Sequence, residues 1–278
     1  MEDISVESAV ISDEELKSLT DAINQRHGID FSCYETKSLK RRVGKAMSVF
    51  NINSMHELWV KILRERDFIY PFMDEISVGL TSMFRDPVLW KKLKEVLTNE
   101  WAKRRDLIIW HSGCSSGEEV YTMGIVIKES KFSGRVSATA TDISMQSIEK
   151  AKKGEYHSLK IDEYEKNLRI YNPESRLSNY SKEVDKSLLM NKDLINHVAF
   201  EYHNLITDPF IKKYDIIFCR NVMIYFDNGA KRKLMDKFHD SLNQGGFLII
   251  GFYDAIMQLV DITKFKIYDA ESKIFQKM

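Results

Sequence analysis

No apolar run in these 278 residues approaches the roughly 18 that a membrane-spanning helix needs. Charge of one sign is also missing: 41 basic side chains cancel 41 acidic ones, which excludes a strongly basic nucleic-acid binder and leaves room only for a local basic patch. Cysteine is scarce. Cys33, Cys114 and Cys219 are odd in number, far apart and in no CxxC spacing, so neither a disulfide framework nor a thiolate zinc site is indicated, and all three are expected to be reduced. The seven histidines, His111 among them, form no HxxxH or HxxE spacing, so no metal site is expected. The opening residues, Met1-Glu2-Asp3-Ile4-Ser5, are acidic where a secretory signal would be basic, and the protein is expected in the cytoplasm. No Gly/Pro/Ser-rich linker, repeat or low-complexity tract interrupts the chain. What remains is a globular composition, 44% hydrophobic and 29% charged, with enough length for about two domains at roughly 150 residues each.

The first third reads as helices. Ser12 and Glu15 form a capping box, in which a Ser cap and a Glu three residues on satisfy each other's backbone donors; Leu16, Leu19 and Ile23 then share one face. Ser54 and Glu57 make a second box, Leu39, Val43, Met47 and Phe50 keep helical spacing between them, and Asp86-Pro87 reads as an N-cap with Pro at the first helical position, opening a helix through Leu93, Leu97 and Trp101. From Leu107 the pattern alternates. A buried strand to Trp110, a small-residue turn over 112–117, a helix from Glu118, a strand from Arg135 ending at Asp142 and a helix over 144–153 follow in order. Tyr214 to Cys219 and Phe247 to Gly251 read as further strands, separated by a helix around 230–242 and a Gly245-Gly246 stop, and a C-terminal hairpin turns at 269–272. This alternation predicts an α/β fold with a doubly wound, mostly parallel sheet. The domain expectation is a helical domain over 11–90 and a sheet domain over 91–278, with the polar stretch 156–199 carrying a small inserted subdomain.

In such a sheet the ligand sits beyond the carboxyl ends of the strands, where Gly113 and Gly117 give the first turn conformational freedom and Asp142 can accept ribose hydroxyls. The turn lacks the GxGxxG spacing, and Glu118-Glu119 would repel a phosphate at the helix N-terminus. A cationic ligand fits better, and S-adenosylmethionine carries an ammonium and a sulfonium without a phosphate. Asp142 also reads as an ordinary N-cap, Glu119 as a partner of the helix dipole, Arg85 as a solvated arginine, Asn204 as a turn residue, and Tyr225 and Phe226 as core aromatics.

Three segments together carry a resemblance: Gly113-Cys114-Ser115-Ser116-Gly117-Glu118-Glu119-Val120-Tyr121, the string Cys219-Arg220-Asn221-Val222-Met223-Ile224-Tyr225-Phe226-Asp227, and Leu80-Thr81-Ser82-Met83-Phe84-Arg85-Asp86. The chain resembles the chemotaxis receptor methyltransferases (CheR-type) over nearly its whole length. The resemblance implies a Rossmann-like S-adenosylmethionine methyltransferase sheet, an N-terminal all-helical domain and a small insert. It implies methyl-ester formation on receptor glutamates, and a partner that is the cytoplasmic helical domain of a chemoreceptor or a similar acidic helical protein, met by a monomer without nucleic acid or membrane insertion. By the same resemblance Thr81, Arg85, Glu119, Asp142, Asn204, Leu205, Arg220 and Asn221 line the cofactor pocket, and Arg85 and Tyr225 stand near the reacting methyl as catalytic residues. Glutamate is already an anion at neutral pH, which agrees with a pocket assigned no conspicuous His or Cys base.

Several departures from the family stand out. Gly251-Phe252-Tyr253-Asp254 replaces the usual Gly-His-Ser-Glu, Gly79 replaces an Asn, and Val120 replaces a Pro. Gly44, Ala46 and Ser48 interrupt an arginine-rich helix, leaving Lys40, Arg41, Arg42 and Lys45 to face an acidic partner. The alternatives to receptor methylation are an enzyme of the same fold with another carboxylate or protein acceptor, and a cofactor-binding signalling module without turnover.

Overall fold

The structure is a computed structural model that describes residues 11–76, 81–210, 212–254 and 256–278. The acidic opening and the departure at Gly79 therefore lie outside the described residues, as does Leu80. The described residues divide into two compact units, one formed by 11–76 with Tyr225–Ala230, the other by 81–224 with Lys231–Met278. Among the described residues no helix is long and apolar enough to cross a membrane.

The first unit holds α1 (Asp13–His27), α2 (Thr36–Val49), α3 (Met55–Arg64) and α4 (Ile69–Ile76). The Ser12 and Glu15 box is closed at both ends, with Glu15 N–H on Ser12 Oγ at 3.1 Å and Ser12 N–H on Glu15 at 2.9 Å. The second box is half closed. Ser54 Oγ accepts from Glu57 N–H, but the Glu57 carboxylate reaches one residue further back, to Asn53 N–H. Helix α2 is capped by a residue the sequence pattern did not single out, Glu35, whose carboxylate accepts from Lys37 and Ser38 N–H. Leu16, Leu19, Ile23, Leu39, Val43 and Met47 are buried as their spacing requires, while Phe50 lies just past the end of α2 and packs edge-on against Phe68.

The basic cluster of α2 departs from its expected use. Arg42 is buried, donates to the Ile76 carbonyl at 3.0 Å and lies 3.6 Å from the centre of the Tyr225 ring. Lys40 pairs with Asp13 and Lys45 with Glu75, so of the four cations only Arg41 is exposed without an ion pair among the described residues. Ala46 is fully buried and faces the core of this unit.

The second unit is built on β1 (Asp106–Ser112), β2 (Arg135–Asp142), β6 (Val198–Tyr202), β7 (Tyr214–Cys219), β8 (Leu242–Ile250), β9 (Phe265–Asp269) and β10 (Ile274–Lys277). They form one seven-stranded sheet in the order β6-β2-β1-β7-β8-β10-β9, with β6 through β8 parallel and the last two strands antiparallel. The order reverses at β1, so the crevice at the carboxyl ends of β1 and β7 is the place for a ligand. Helices α5 (Pro87–Thr98), α6 (Glu118–Ser130), α7 (Met145–Lys153) and α9 (Asn228–Ser241) alternate with the strands. Trp101 falls beyond the end of α5 and stacks on Phe247 instead of continuing the helix. Gly245 and Gly246 lie inside β8, which begins at Leu242, and the pairing with β7 slips there; the expected stop is a bulge within the strand.

The insert contains α8 (Ile161–Tyr171) and a separate antiparallel sheet of β3 (Glu155–His157), β4 (Ser181–Val184) and β5 (Ser187–Met190) in the order β3-β5-β4. Its ordered core of Tyr164, Leu168 and Tyr171 on one face of α8 was hidden by the polar residues between them. Glu129 of α6 holds it in place, accepting from Lys94 at 2.8 Å, Asn172 at 2.8 Å, Ser175 at 2.7 Å and Tyr180 at 2.8 Å. Burial alone would raise the pKa of this carboxyl, but those donors outweigh it and lower it from 4.5 to about 2. A depressed carboxyl stabilises the fold fully above its unfolded pKa of 4.5 and loses that contribution as pH falls toward 2. Glu129→Ala is expected to cost about 3–5 kcal/mol in urea unfolding at pH 7, because it strands a buried partner set, and the deficit against the native protein is expected to shrink as pH is lowered through that window.

Candidate active site

The turn between β1 and α6 is shaped by its neighbours as much as by any ligand. Gly113 and Gly117 have φ of 80° and 90°. A Cβ on Gly113 would run into the Val222 side chain, and one on Gly117 would come within 2.7 Å of Ala151 Cβ. Both glycines were expected to let a ligand approach the backbone; their packing demands glycine on its own account. Ser115, at φ 48°, places its N–H on Asp142 Oδ2 at 2.8 Å, and the other oxygen of Asp142 accepts from Ser144 N–H at 2.9 Å. The cap of α7 is Ser144, not Asp142. Asp142 is thereby fixed at the carboxyl end of β2 with its carboxylate turned toward the β1 turn.

A charge network is centred on the buried Arg220. Arg220, at the end of β7, donates through Nη1 to Glu119 at 3.0 Å, and through Nη2 to Asp86 at 2.7 Å and to the Arg85 carbonyl at 2.9 Å. Asp86 was expected to cap α5 with its side chain; it makes no such bond, because its carboxylate is drawn to Arg220. Glu119 also bonds Nδ1 of the buried His111 at 2.9 Å, and that imidazole stacks flat on Phe218 at 4.7 Å. Burial works against the Glu119 charge, but the bond to His111 and the nearby Arg220 prevail and lower its pKa.

The loop carrying Thr81 and Arg85 is anchored by Phe84, which stacks on Tyr171 at 4.8 Å and donates its N–H to Thr122 Oγ at 3.1 Å. Thr81 and Arg85 are both half-buried. Phe84, Asp86, Ser115 and Asn221 all take left-handed backbone, with φ of 51°, 57°, 48° and 59°. Such a gathering of costly conformations marks a place the fold holds for a purpose. Asn221 is fixed by Asp254, a fully buried carboxylate that accepts from the N–H groups of Asn221 at 2.8 Å, Ile224 at 3.1 Å and Gly251 at 2.7 Å. Asn204 is buried in a turn of its own, its side-chain oxygen accepting from Ile206 N–H, with Leu205 buried beside it in sequence. His203 N–H bonds to the Asp142 carbonyl, which brings the end of β6 alongside that of β2. Arg85, Glu119, Asp142, Arg220 and Asn221 thus belong to the crevice end of the sheet unit, whereas Tyr225 belongs to the helical unit, with its ring on Arg42 and its carbonyl accepting from Glu35 N–H.

Residues 79–274 match the family described as CheR methyltransferase, SAM binding domain, and residues 14–77 match its all-alpha domain. The chain belongs to the CheR methyltransferase family. Among its relatives are chemotaxis protein methyltransferase 1 of Vibrio cholerae, 30% identical over 96% of this chain and 98% of the relative. The chemotaxis protein methyltransferase of Listeria innocua is 28% identical over 87% and 90%. That of Borreliella burgdorferi is 29% identical over 88% and 89%.

A CheR methyltransferase takes S-adenosylmethionine, and the crevice has the chemistry to hold it. Two carboxylates, Glu119 and Asp142, stand at this end of the sheet, which suits a ligand bearing positive charge; Ser115 Oγ is buried without a hydrogen-bond partner among the described residues, and the acidic first turn of α6 disfavours a phosphate. The enzyme's departure from Gly-His-Ser-Glu has a structural reading. The fourth position keeps a carboxylate, Asp254, as the clamp on three backbone donors, while Phe252 and Tyr253, in place of His and Ser, are 64% and 68% exposed. Asp86, His111 and Asp254 were not read as site builders from the sequence; the sign of the last was the acid kept at the fourth position of the segment that replaces Gly-His-Ser-Glu. Asp254→Asn turns an NH₂ toward backbone donors and is expected to destabilise the enzyme by about 1–3 kcal/mol for each donor left unpaired, read as a lowered urea midpoint with an unchanged slope.

Proposed function

We propose that this CheR methyltransferase transfers the methyl group of S-adenosylmethionine to glutamate side chains of a chemoreceptor-like protein in the cytoplasm, forming glutamyl methyl esters. One observation carries the reading: among the described residues, the buried His111, Cys114 and Cys219 of the crevice are each engaged or held protonated, so none of them is poised to deprotonate an acceptor. His111 is buried, with Nδ1 engaged by Glu119 and its ring against Phe218. Burial drives the thiol pKa of both Cys114 and Cys219 upward, which keeps them protonated and inert. An acceptor that arrives already ionised, as a glutamate does at pH 7, needs no such base. The names of the Vibrio, Listeria and Borreliella relatives point the same way.

When bound, the cofactor supplies an electrophilic methyl on a sulfonium. The chain's own residues then position and exclude. Glu119, kept ionised by its His111 and Arg220 partners, is suited to the cofactor's ammonium, and Asp142, oriented by Ser115 and Ser144 N–H, to the ribose hydroxyls. Thr81, Asn204, Leu205, Arg220 and Asn221 complete the proposed pocket. Arg85 is assigned to fork onto the acceptor carboxylate and Tyr225 to donate one hydrogen bond to it. Holding the carboxylate in line with the methyl can contribute roughly 7–11 kcal/mol, whereas holding it too tightly would stabilise the ground state and slow transfer. In this reading the helical domain docks the acceptor and the sheet domain binds the cofactor.

A second reading, a different carboxylate or protein acceptor, is favoured by α2, where three of its four clustered cations are buried or paired. Transfer of labelled methyl from S-adenosylmethionine to a cytoplasmic receptor fragment tests both. The glutamate reading expects label that mild base releases as methanol, with Asp142→Ala raising the cofactor KM and Arg85→Ala lowering kcat by about 10²-fold, the scale of a misplaced reactant. Cofactor binding without transfer to any receptor fragment, but with transfer to another acidic protein, would select the second reading.

A further inference from the structure

Between the N-terminus of α5, the end of β8 and the turn joining β9 to β10 lies a cavity of about 180 Å³. All of its walls come from the sheet unit. Pro87, Val88, Leu89, Ile250 and Phe252 make much of the lining apolar. Two of the remaining lining residues, Arg220 and Ser272, are more than nine-tenths buried, at 9% and 6% exposure. Each carries a buried polar atom that finds no hydrogen-bond partner among the described residues, Arg220 Nε and Ser272 Oγ. Buried polar groups are ordinarily paired, so two residues with unpaired donors in the wall of one cavity ask for a shared acceptor.

Two positively charged features also lie at this wall. The first turn of α5 has no side-chain cap, since Asp86 is committed to Arg220, and its 12-residue helix directs its positive end to this wall. Lys273, which also lines the cavity, extends over the Phe252 ring with Nζ 5.5 Å from its centre. Asp86 and Glu271 are the exposed acids among the lining residues; Asp86 is met by Arg220 at 2.7 Å, and Glu271 opposes a second negative charge. From this arrangement we propose that the cavity is a binding site, separate from the cofactor crevice, for a monocarboxylate on a short apolar stem. Arg220 Nε and Ser272 Oγ donate to the carboxylate, and the stem lies against Val88, Ile250 and Phe252. Arg220 then serves two sites at once, its Nη groups bracing Glu119 and Asp86 and its Nε facing the second ligand. The carboxylate can come from a free small acid or from a side chain of a protein segment, and the inference does not depend on which acceptor is methylated.

The test follows the Arg220 Nε–H resonance of the full-length protein by NMR during titration with butyrate, with its neutral isostere butyramide, and with a glutamate-bearing helical peptide alongside its glutamine counterpart. A saturable shift with butyrate and none with butyramide is expected, at least about tenfold weaker in Ser272→Val and retained in Ser272→Thr. A shift by the glutamate peptide alone assigns the site to a protein side chain; a shift by butyrate assigns it to a free acid. If Ser272→Val does not fold, Lys273→Gln takes its place, with binding expected to weaken several-fold. No saturable shift with either carboxylate, equal shifts with butyramide, or butyrate affinity unchanged in every variant that folds would overturn the proposal.

Discussion

The guanidinium of Arg220 is the contact on which the crevice depends. It joins three segments far apart in sequence: the loop before α5 through the Arg85 carbonyl and Asp86, the first turn of α6 through Glu119, and its own strand β7. A buried arginine is tolerable only with its charge met, and here two carboxylates and a carbonyl meet it in fixed geometry. The planar fork does what a lysine could not, since one ammonium cannot hold these directions simultaneously. Because Glu119 is tied to Arg220 on one side and to His111 on the other, the carboxylate presented to the crevice is pre-positioned and ionised before any ligand arrives.

A second layer of buried acids transmits order from the rest of the sheet unit to that network. Glu118, fully buried at the start of α6, accepts from Ser116, Lys160 and Tyr164, and Tyr156 donates to the Ser116 carbonyl. The insert therefore grips the β1 turn from behind, while Glu129 fastens the other end of the same insert to α5 and α6. Asp254 does for the Asn221 segment what Asp142 does for the turn at Ser115. Asp142 and Asp254 pin backbone directly, so the left-handed conformations of Ser115 and Asn221 are offset by hydrogen bonds to their own N–H groups.

Much of the architecture was legible in the chain. The capping box at Ser12, the strand ends at Asp142 and Cys219, and the alternation of strands with helices after residue 106 followed from local pattern, because those signals arise within a turn or two of backbone. The insert was expected within 156–199, but its internal order was not legible: its apolar residues are few and dispersed among charges, and its order comes from contacts with α5 and α6 that lie 40 or more residues away, as in the bond from Tyr180 to Glu129. The α2 cluster misled for a related reason. Charge is visible in sequence but direction is not, and Arg42 turns inward to Ile76 and Tyr225 while Ala46 fills the core.

By itself the sequence determined the fold class, the family and the segments that carry its motifs, because these rest on periodicity and on short strings whose spacing is unaffected by folding. Only the tertiary structure decided which charges are spent on the protein and which are left for a ligand. Asp86 looked like a helix cap and is a counter-ion, Arg220 looked like one pocket residue among several and is the brace of the site, and Gly113 and Gly117 serve the packing of Val222 and Ala151. Such assignments turn on distances of about 3 Å between residues up to 135 positions apart, and no local pattern encodes them.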